Sequence, residues 1–425
     1  MSDDRPLSQR ARRAGGQPIG FLMQEALARP ELISLAAGFV DQATLPVDAV
    51  RQATERALSD PATARAALQY GCTAGEPKLR EILLERLAAA DGFSPTDRGL
   101  SVDRIIATAG SNELLYLIGD TLVDPGDIVL CAAPSYFVYL GVLKNLGARS
   151  FGVAIDEDGM IPEAIDESLH RLDQNGDLGR VKAIYVNSYF DNPSSTTLTA
   201  DRRVALVEIA KRWSRHGKIY VIDDSVYREL RYFEEDIPSL LAADETADTV
   251  IHTGSFSKSF SPGLRVGWGV LPTELVEPIL DQKGNIDFGS PNLSQQVMLA
   301  ALDLGLFDQH ITILRENYRK KLNAMLDSLD KHMSSMTDVR WGKSRGGLYV
   351  WLKVGGTDTG VDGPLFRRAL DEGILYVPGV HCFPAEGEPA QTDMMRLSFG
   401  VQPPERIREG IAALATAIRG AKERE

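Results

Sequence analysis

The stretch Ser255-Phe256-Ser257-Lys258-Ser259-Phe260-Ser261-Pro262-Gly263-Leu264-Arg265-Val266-Gly267 follows the β-branched run Thr249-Val250-Ile251-His252. It sets one lysine among hydroxyl side chains, with an arginine and two glycines close behind. A free lysine amine titrates near ~10.4, so at neutral pH it is a cation and a poor nucleophile. Condensing it with an aldehyde as a Schiff base turns the same group reactive. The hydroxyls of Ser255 and Ser257 and the rigid donor fork of Arg265 suit a phosphate held beside that lysine. An aldehyde next to a phosphate is the make-up of pyridoxal 5'-phosphate. Taken alone, a Ser/Gly-rich stretch after a strand equally describes a solvated loop. The rest of the chain decides between the two.

A chain of 425 residues exceeds what one hydrophobic core serves, so a large and a smaller domain are expected. The expected division is an arm over 1–46 that packs with the small domain, a large domain over 47–310 and a small domain over 311–425. Hydrophobic content of 44% and charged content of 25% are those of an ordinary globular protein. Acidic residues outnumber basic ones, 59 to 46, and the resulting −13 makes a poor surface for nucleic acid or an anionic membrane. The cluster Arg10, Arg12 and Arg13 reads as a solvated N-terminal arm. No apolar run approaches the roughly 20 residues of a bilayer span. The acidic start Met1-Ser2-Asp3-Asp4 has no signal-peptide core, so the cytoplasm is the expected compartment. Cys72, Cys131 and Cys382 are odd in number and far apart, which favours neither a disulfide framework nor a zinc site. The six histidines show no metal-ligand spacing. No metal is expected, and His252, inside an apolar run, reads as a packed strand residue.

Helical patterns alternate with short β-branched runs through the middle of the chain, the signature of a largely parallel α/β sheet. Strands are expected at 104–108, 127–131, 181–186, 219–223 and 249–252. Helices are expected at 113–122 and 201–213. A long helical pattern over 295–329 bridges to a C-terminal α+β part with strand candidates at 347–352, 374–377 and 394–399.

Polar clusters fall at or beyond the strand ends, where open α/β sheets bind ligands. Gly110-Ser111-Asn112 sits where a strand turns into a helix, so it either offers a phosphate the helix N-terminus or simply caps that helix. Tyr136, after the next strand, either stacks on a planar ring or fills the core. Asn192, in an Asn-Pro turn, can donate to a ring oxygen. A carboxylate at Asp224 buried against a pyridine nitrogen would stabilise its protonated form, and the protonated ring then accepts electrons from a breaking Cα–H bond. A solvated strand end is the competing reading for Asp223 and Asp224. Arg396 stands alone among Met394, Met395 and Leu397 and needs an anionic partner, either a substrate carboxylate or a structural salt bridge.

Taken together and in order, these clusters resemble the fold-type I pyridoxal-phosphate aminotransferases. The resemblance is nearest to the class I/II group with 2-aminoadipate and kynurenine aminotransferases, and it runs from about Ile33 to the C-terminus. It implies a large domain with a mostly parallel seven-stranded sheet and a smaller α+β domain. It implies that Lys258 forms the Schiff base, Asp224 pairs with the ring nitrogen, and Tyr227 and Asn192 contact the ring oxygen. Arg396 then binds the substrate carboxylate, and the loop Ile33 to Gly38 covers the substrate. Leu68-Gln69-Tyr70-Gly71 matches a motif whose tyrosine reaches the neighbouring subunit's phosphate, which implies that Tyr70 acts across a homodimer. The sequence departs from the pattern in three places. Ser195 replaces the glycine of N-P-[ST]-G, Asn112 replaces the glutamine of G-S-Q, and no arginine lies near Gln24 to hold an acidic side chain.

The implied reaction is ping-pong transfer of an amino group between an L-amino acid and a 2-oxo acid, with Lys258 moving the proton and Asp224 and Tyr136 assisting. Elimination, decarboxylation or oxidation with the same cofactor would need the same residues. A ligand-sensing domain of a transcription regulator is disfavoured, because only about 30 residues precede the resemblance, too few for a DNA-binding module, and the net charge has the wrong sign.

Overall fold

The structure, a computed structural model, describes residues 6–15, 20, 22, 24–25, 28–29 and 31–422. Its central sheet is built on seven strands: β1 Ile105–Thr108, β2 Ile128–Ala133, β3 Arg149–Asp156, β4 Val181–Val186, β5 Tyr220–Asp224, β6 Val250–Ser255 and β7 Gly267–Val270. They lie in the order β3, β2, β4, β5, β6, β7, β1, and the two-residue strand Glu386–Gly387 extends the β3 edge. β3 through β6 run parallel, whereas β7 is antiparallel to both β6 and β1. The chain is thus an α/β protein with a mostly parallel sheet.

The strands are continuous apolar runs because both faces are covered. Ile105, Ile128, Leu130, Ile184, Val221 and Val250 fill the core on one face. Ile106, Val129, Cys131, Tyr185, Ile222 and Ile251, alternating with them, fill the core on the other. Each such side chain contributes roughly 1.5–3 kcal/mol by leaving water.

A second, antiparallel sheet holds β8 Val339–Trp341, β9 Tyr349–Val354, β10 Val377–Pro378 and β11 Met394–Ser398, in the order β8, β9, β11, β10. It packs with helices Leu306–Met333 and Pro404–Lys422 through Leu322, Met325, Val350, Leu352, Leu397, Ile411 and Ile418. Ile33–Ser34 pairs in parallel with Ile374–Leu375 beside this core.

Three differences from the sequence expectations have simple causes. β3 has no clean alternation, because Gly152 replaces a side chain where a Cβ would meet Ala133 and the Glu386 carbonyl at 3.2 Å. β7 reads as a loop because two of its four residues are glycine. The pattern over 295–329 is two helices, Asn292–Asp303 and Leu306–Met333, which meet at 82° around Gly305 with φ +67°. Among the described residues no single helix is long and apolar enough to cross a membrane.

Register gathers the polar clusters at one end of the central sheet. Ser255 lies opposite Gly267, Gly267 opposite Thr108, and Asp224 opposite Thr253.

Candidate active site

A cavity of about 250 Å³ opens at that end of the sheet, lined by Ser111, Asn112, Tyr136, Asn187, Asn192, Asp224, Tyr227, Ser257, Lys258 and Arg265, together with Phe39, Val226 and Pro262. Nine of these were singled out in the sequence, and folding brings them together from five strand ends. The lysine stretch is not a solvated loop. Phe256 and Phe260 turn into the core against Phe307, at 5.4 and 6.2 Å between ring centres, which leaves Ser257 and Lys258 facing the cavity.

Lys258 Nζ donates to the Gly38 carbonyl at 2.7 Å. Its pKa is lowered, chiefly by burial and further by the nearby charges of Arg396 and Arg265. An amine with a depressed pKa is more often neutral, and hence nucleophilic, near neutral pH. Gly38 has to be glycine, because a Cβ there would sit 2.7 Å from the Tyr349 hydroxyl.

Asp223 and Asp224 are both buried, so neither is a solvated strand end, and they point to opposite faces of β5. Asp224 accepts from the Tyr185 hydroxyl at 2.9 Å and the Thr253 hydroxyl at 3.3 Å. Burial raises its carboxyl to about 6 against the pull of the Tyr185 hydrogen bond. Asp223 serves the structure instead. It accepts from Ser188, Ser225 and the Leu240 amide and pairs with His252 Nδ1 at 2.9 Å. Burial alone would raise its pKa, but His252, Arg203 and Ser188 together outweigh it and hold the carboxyl below its ordinary value.

Gly110 is the N-cap of helix Ser111–Leu122, with φ +85°, and no side chain caps this helix. Ser111 therefore does not cap it; Ser111 and Asn112 line the cavity instead. A Cβ on Gly110 would strike the Arg265 guanidinium, and one on Gly267 would strike the Ser111 amide and the Gly110 backbone. Arg265, itself left-handed at φ +54°, reaches Ser257 Oγ at 3.5 Å and the Ala109 carbonyl at 2.9 Å. Ser255 Oγ receives the Ser257 amide at 3.1 Å and lies 3.0 Å from Ser257 Oγ. Helix amides, two hydroxyls and a guanidinium converge as a cradle for a dianion.

Arg396 is 1% exposed, and among the described residues no Asp or Glu forms an ion pair with it, so the salt-bridge reading fails. It donates to Asn192 Oδ1 at 2.8 Å and the Ala36 carbonyl at 2.7 Å, while its Nε has no partner. Its guanidinium lies 4.3 Å from the centre of the Tyr349 ring. Asn192 Nδ2 points to the Tyr227 hydroxyl at 3.4 Å, which in turn lies 3.2 Å from the Tyr349 hydroxyl. The Tyr136 phenol is pushed up by burial. Tyr70 is not brought to this cavity; it is 77% exposed and packs edge-on against Phe288, 5.4 Å between ring centres.

Residues 30–414 match the family described as aminotransferase class I and II. The chain belongs to this family. It is 33% identical over 390 residues to an aromatic-amino-acid aminotransferase of Thermococcus litoralis, covering 92% of this chain and 88% of that protein. It is 32% identical over 394 residues to a 2-aminoadipate transaminase of Thermus thermophilus, covering 92% and 91%. The crystal structure of a kynurenine aminotransferase of Pyrococcus horikoshii superposes with a TM-score of 0.89 at 30% identity, over 99% of this chain and 98% of that one. The protein is a pyridoxal-phosphate-dependent aminotransferase of fold type I.

The side chains of this aminotransferase fit that cofactor. The cradle at Gly110 has no room for a Cβ, a lysine and a buried carboxylate face one cavity, and the cavity-lining Asn187 has an Oδ1 with no protein partner. Sequence reasoning missed Tyr185, Asn187, Thr253 and Tyr349. Tyr185, Thr253 and Tyr349 sit in strands, where an inward polar tip and a core residue follow the same alternation.

Proposed function

We propose that Lys258 carries the cofactor and moves the substrate proton, and that Arg396 with Asn192 holds the substrate α-carboxylate. The observation that carries this reading is a buried arginine with no anionic partner next to a desolvated lysine. Bound pyridoxal phosphate supplies an electron sink for a breaking bond at the substrate Cα. With the cofactor bound, the freed amine of Lys258 would take the substrate Cα proton as general base and give it back as general acid, a role typically worth about 10²–10⁴-fold. Asp224, steered by Tyr185 and Thr253, keeps the ring nitrogen protonated. Tyr227 and Asn192 would donate toward the ring oxygen, and Tyr136 would cover the ring face. Ser111 and Asn112, after the Gly110 turn, together with Ser255, Ser257 and Arg265 would bind the phosphate. In the second half-reaction a 2-oxo acid enters the same carboxylate site, and Lys258 runs the proton transfer in reverse, which makes the turnover ping-pong.

The same reading makes the enzyme a homodimer in which Tyr70 reaches the neighbouring phosphate. The exposed patch of Leu68, Tyr70 and Phe288 supports it, at 68, 77 and 62% exposure. It divides the chain at 47 and about 310, supported by the separate cores of the two sheets. It places the enzyme in the cytoplasm, supported by three free thiols and the acidic composition. The substrates are small amino and 2-oxo acids.

The test is a visible absorbance titration of the holoenzyme. An amino acid should bleach the band and a 2-oxo acid should restore it, and Lys258→Ala should abolish both changes and turnover. Normal turnover in Lys258→Ala would sink the assignment.

A further inference from the structure

Ser195 holds a backbone conformation that favours glycine, φ +64°, yet it carries a side chain that is almost fully buried. Such strain persists where surrounding contacts over-determine it, and it gathers at functional sites. Here the contacts belong to the hydroxyl. Ser195 Oγ donates to the Tyr349 carbonyl at 2.6 Å and lies 2.9 Å from Ser344 Oγ. Both partners belong to the segment that leads into and begins β9 of the second sheet, whereas Ser195 follows β4 of the central sheet.

The turn that Ser195 closes is the one that carries Asn192. The Ser195 amide donates to the Asp191 carbonyl at 2.6 Å, and the Asp191 amide donates to the Thr196 carbonyl at 2.8 Å. Asn192 is therefore fixed between two backbone hydrogen bonds, and it grips Arg396 from one side at 2.8 Å. Tyr349, whose main chain receives the Ser195 hydroxyl, flanks the same guanidinium from the other side, with its ring centre at 4.3 Å. One hydroxyl thus ties together two of the groups that hold Arg396. We infer that Ser195 is a positioning residue for carboxylate recognition: it clamps the Asn192 turn to the Tyr349 strand and so holds Arg396 in its binding geometry. The inference rests on the reading of Arg396 as the carboxylate site.

Geometry of this kind acts on substrate and transition state alike, so its loss raises KM while leaving kcat nearly unchanged. In Ser195→Gly the backbone strain is relieved and only the clamp is lost. The holoenzyme should fold with a Tm no lower than wild type. Its KM for amino acid and for 2-oxo acid should rise at least about tenfold, with kcat within about threefold. The affinity for a simple monocarboxylic acid, which binds without reacting, should fall by the same factor in a calorimetric titration. Ser195→Ala keeps the left-handed backbone and also loses the clamp, so it should show the same KM with a lower Tm. If Ser195→Gly retains wild-type KM and monocarboxylate affinity, or if only Ser195→Ala shows the defect, the hydroxyl is merely structural and the inference fails. Arg396→Ala is the control for the underlying reading: unchanged monocarboxylate affinity there would remove that reading, whatever the Ser195 variants do.

Discussion

Asp191 stands beside Asn192 and is buried, and among the described residues it has no ion-pair partner. Its Oδ2 accepts from the Ser194 amide at 3.0 Å and the Ser194 hydroxyl at 2.6 Å. Desolvation outweighs these two bonds and raises the carboxyl to about 7, with the charge of Asp224 pushing the same way. In the unfolded chain the group titrates at its ordinary value of 3.8, so between about pH 4 and 7 the folded state binds the extra proton. Stability from this group is therefore greatest at low pH and is lost as pH rises through about 7. Asp191→Asn removes that dependence. The Tm of the variant minus that of wild type should increase from about pH 4 to about pH 7 and level off above it; a difference flat from pH 4 to pH 7 would show that Asp191 is not protonated in the folded state. On the proposed reading Asp224 differs from Asp191, since a protonated pyridine nitrogen would give its charge a partner.

Among the elements, β7 and helix Ser111–Leu122 decide the cradle proposed for the phosphate. β7 runs against its parallel neighbours and so brings its first residue, Gly267, against the start of the helix. The contact is so close that any Cβ on Gly267 would meet the Ser111 amide and the Gly110 backbone. Backbone cannot swing aside as a flexible side chain can, so the helix start would have to shift. Gly267→Ala should lower stability by about 1–3 kcal/mol, the usual cost of overpacking. It should also weaken cofactor binding at least tenfold in a fluorescence titration of the apoenzyme. Wild-type cofactor affinity in a destabilised variant would mean that the helix amides do not hold the phosphate. The strand itself was illegible in the sequence, because Gly267 and Gly269 read as a loop. β-propensity reports side-chain packing, and these two positions have none.

At the scale of the whole molecule, a single chain leaves Tyr70 outside its own cavity, in an exposed apolar patch with Leu68 and Phe288. If Tyr70 completes the neighbour's site, a mixed dimer of Tyr70→Ala and Lys258→Ala chains contains one site with both native residues. Co-expressed and purified as the hybrid, the two variants should recover up to about half of wild-type activity, where neither recovers it alone. No recovery, with a dimer demonstrated by sedimentation, would mean that Tyr70 acts within its own chain, and full activity of Tyr70→Ala by itself would place Tyr70 outside the catalytic sites.

Much of the site was legible because its chemistry demands rare combinations. A lysine among hydroxyls and an arginine inside an apolar strand drew attention, and their order along the chain with the Asp224-to-Tyr227 spacing, as in the resembled family, decided between the readings. Apolar runs likewise disclosed a parallel sheet, since burying both faces leaves no polar alternation to mistake for a surface strand. Other properties had no local signature. That Asp224 rather than Asp223 faces the cavity follows from which face of β5 each residue meets. That Arg396 lacks a carboxylate partner follows from everything packed around it. Tyr349 and Ser195 look in sequence like a core residue and a turn residue, and only the meeting of two sheets sets one beneath Arg396 and ties the other to it. Local composition determined which groups this protein has for its chemistry. The tertiary structure decided which of them share a cavity, because burial and hydrogen-bond partners are supplied by residues hundreds of positions away.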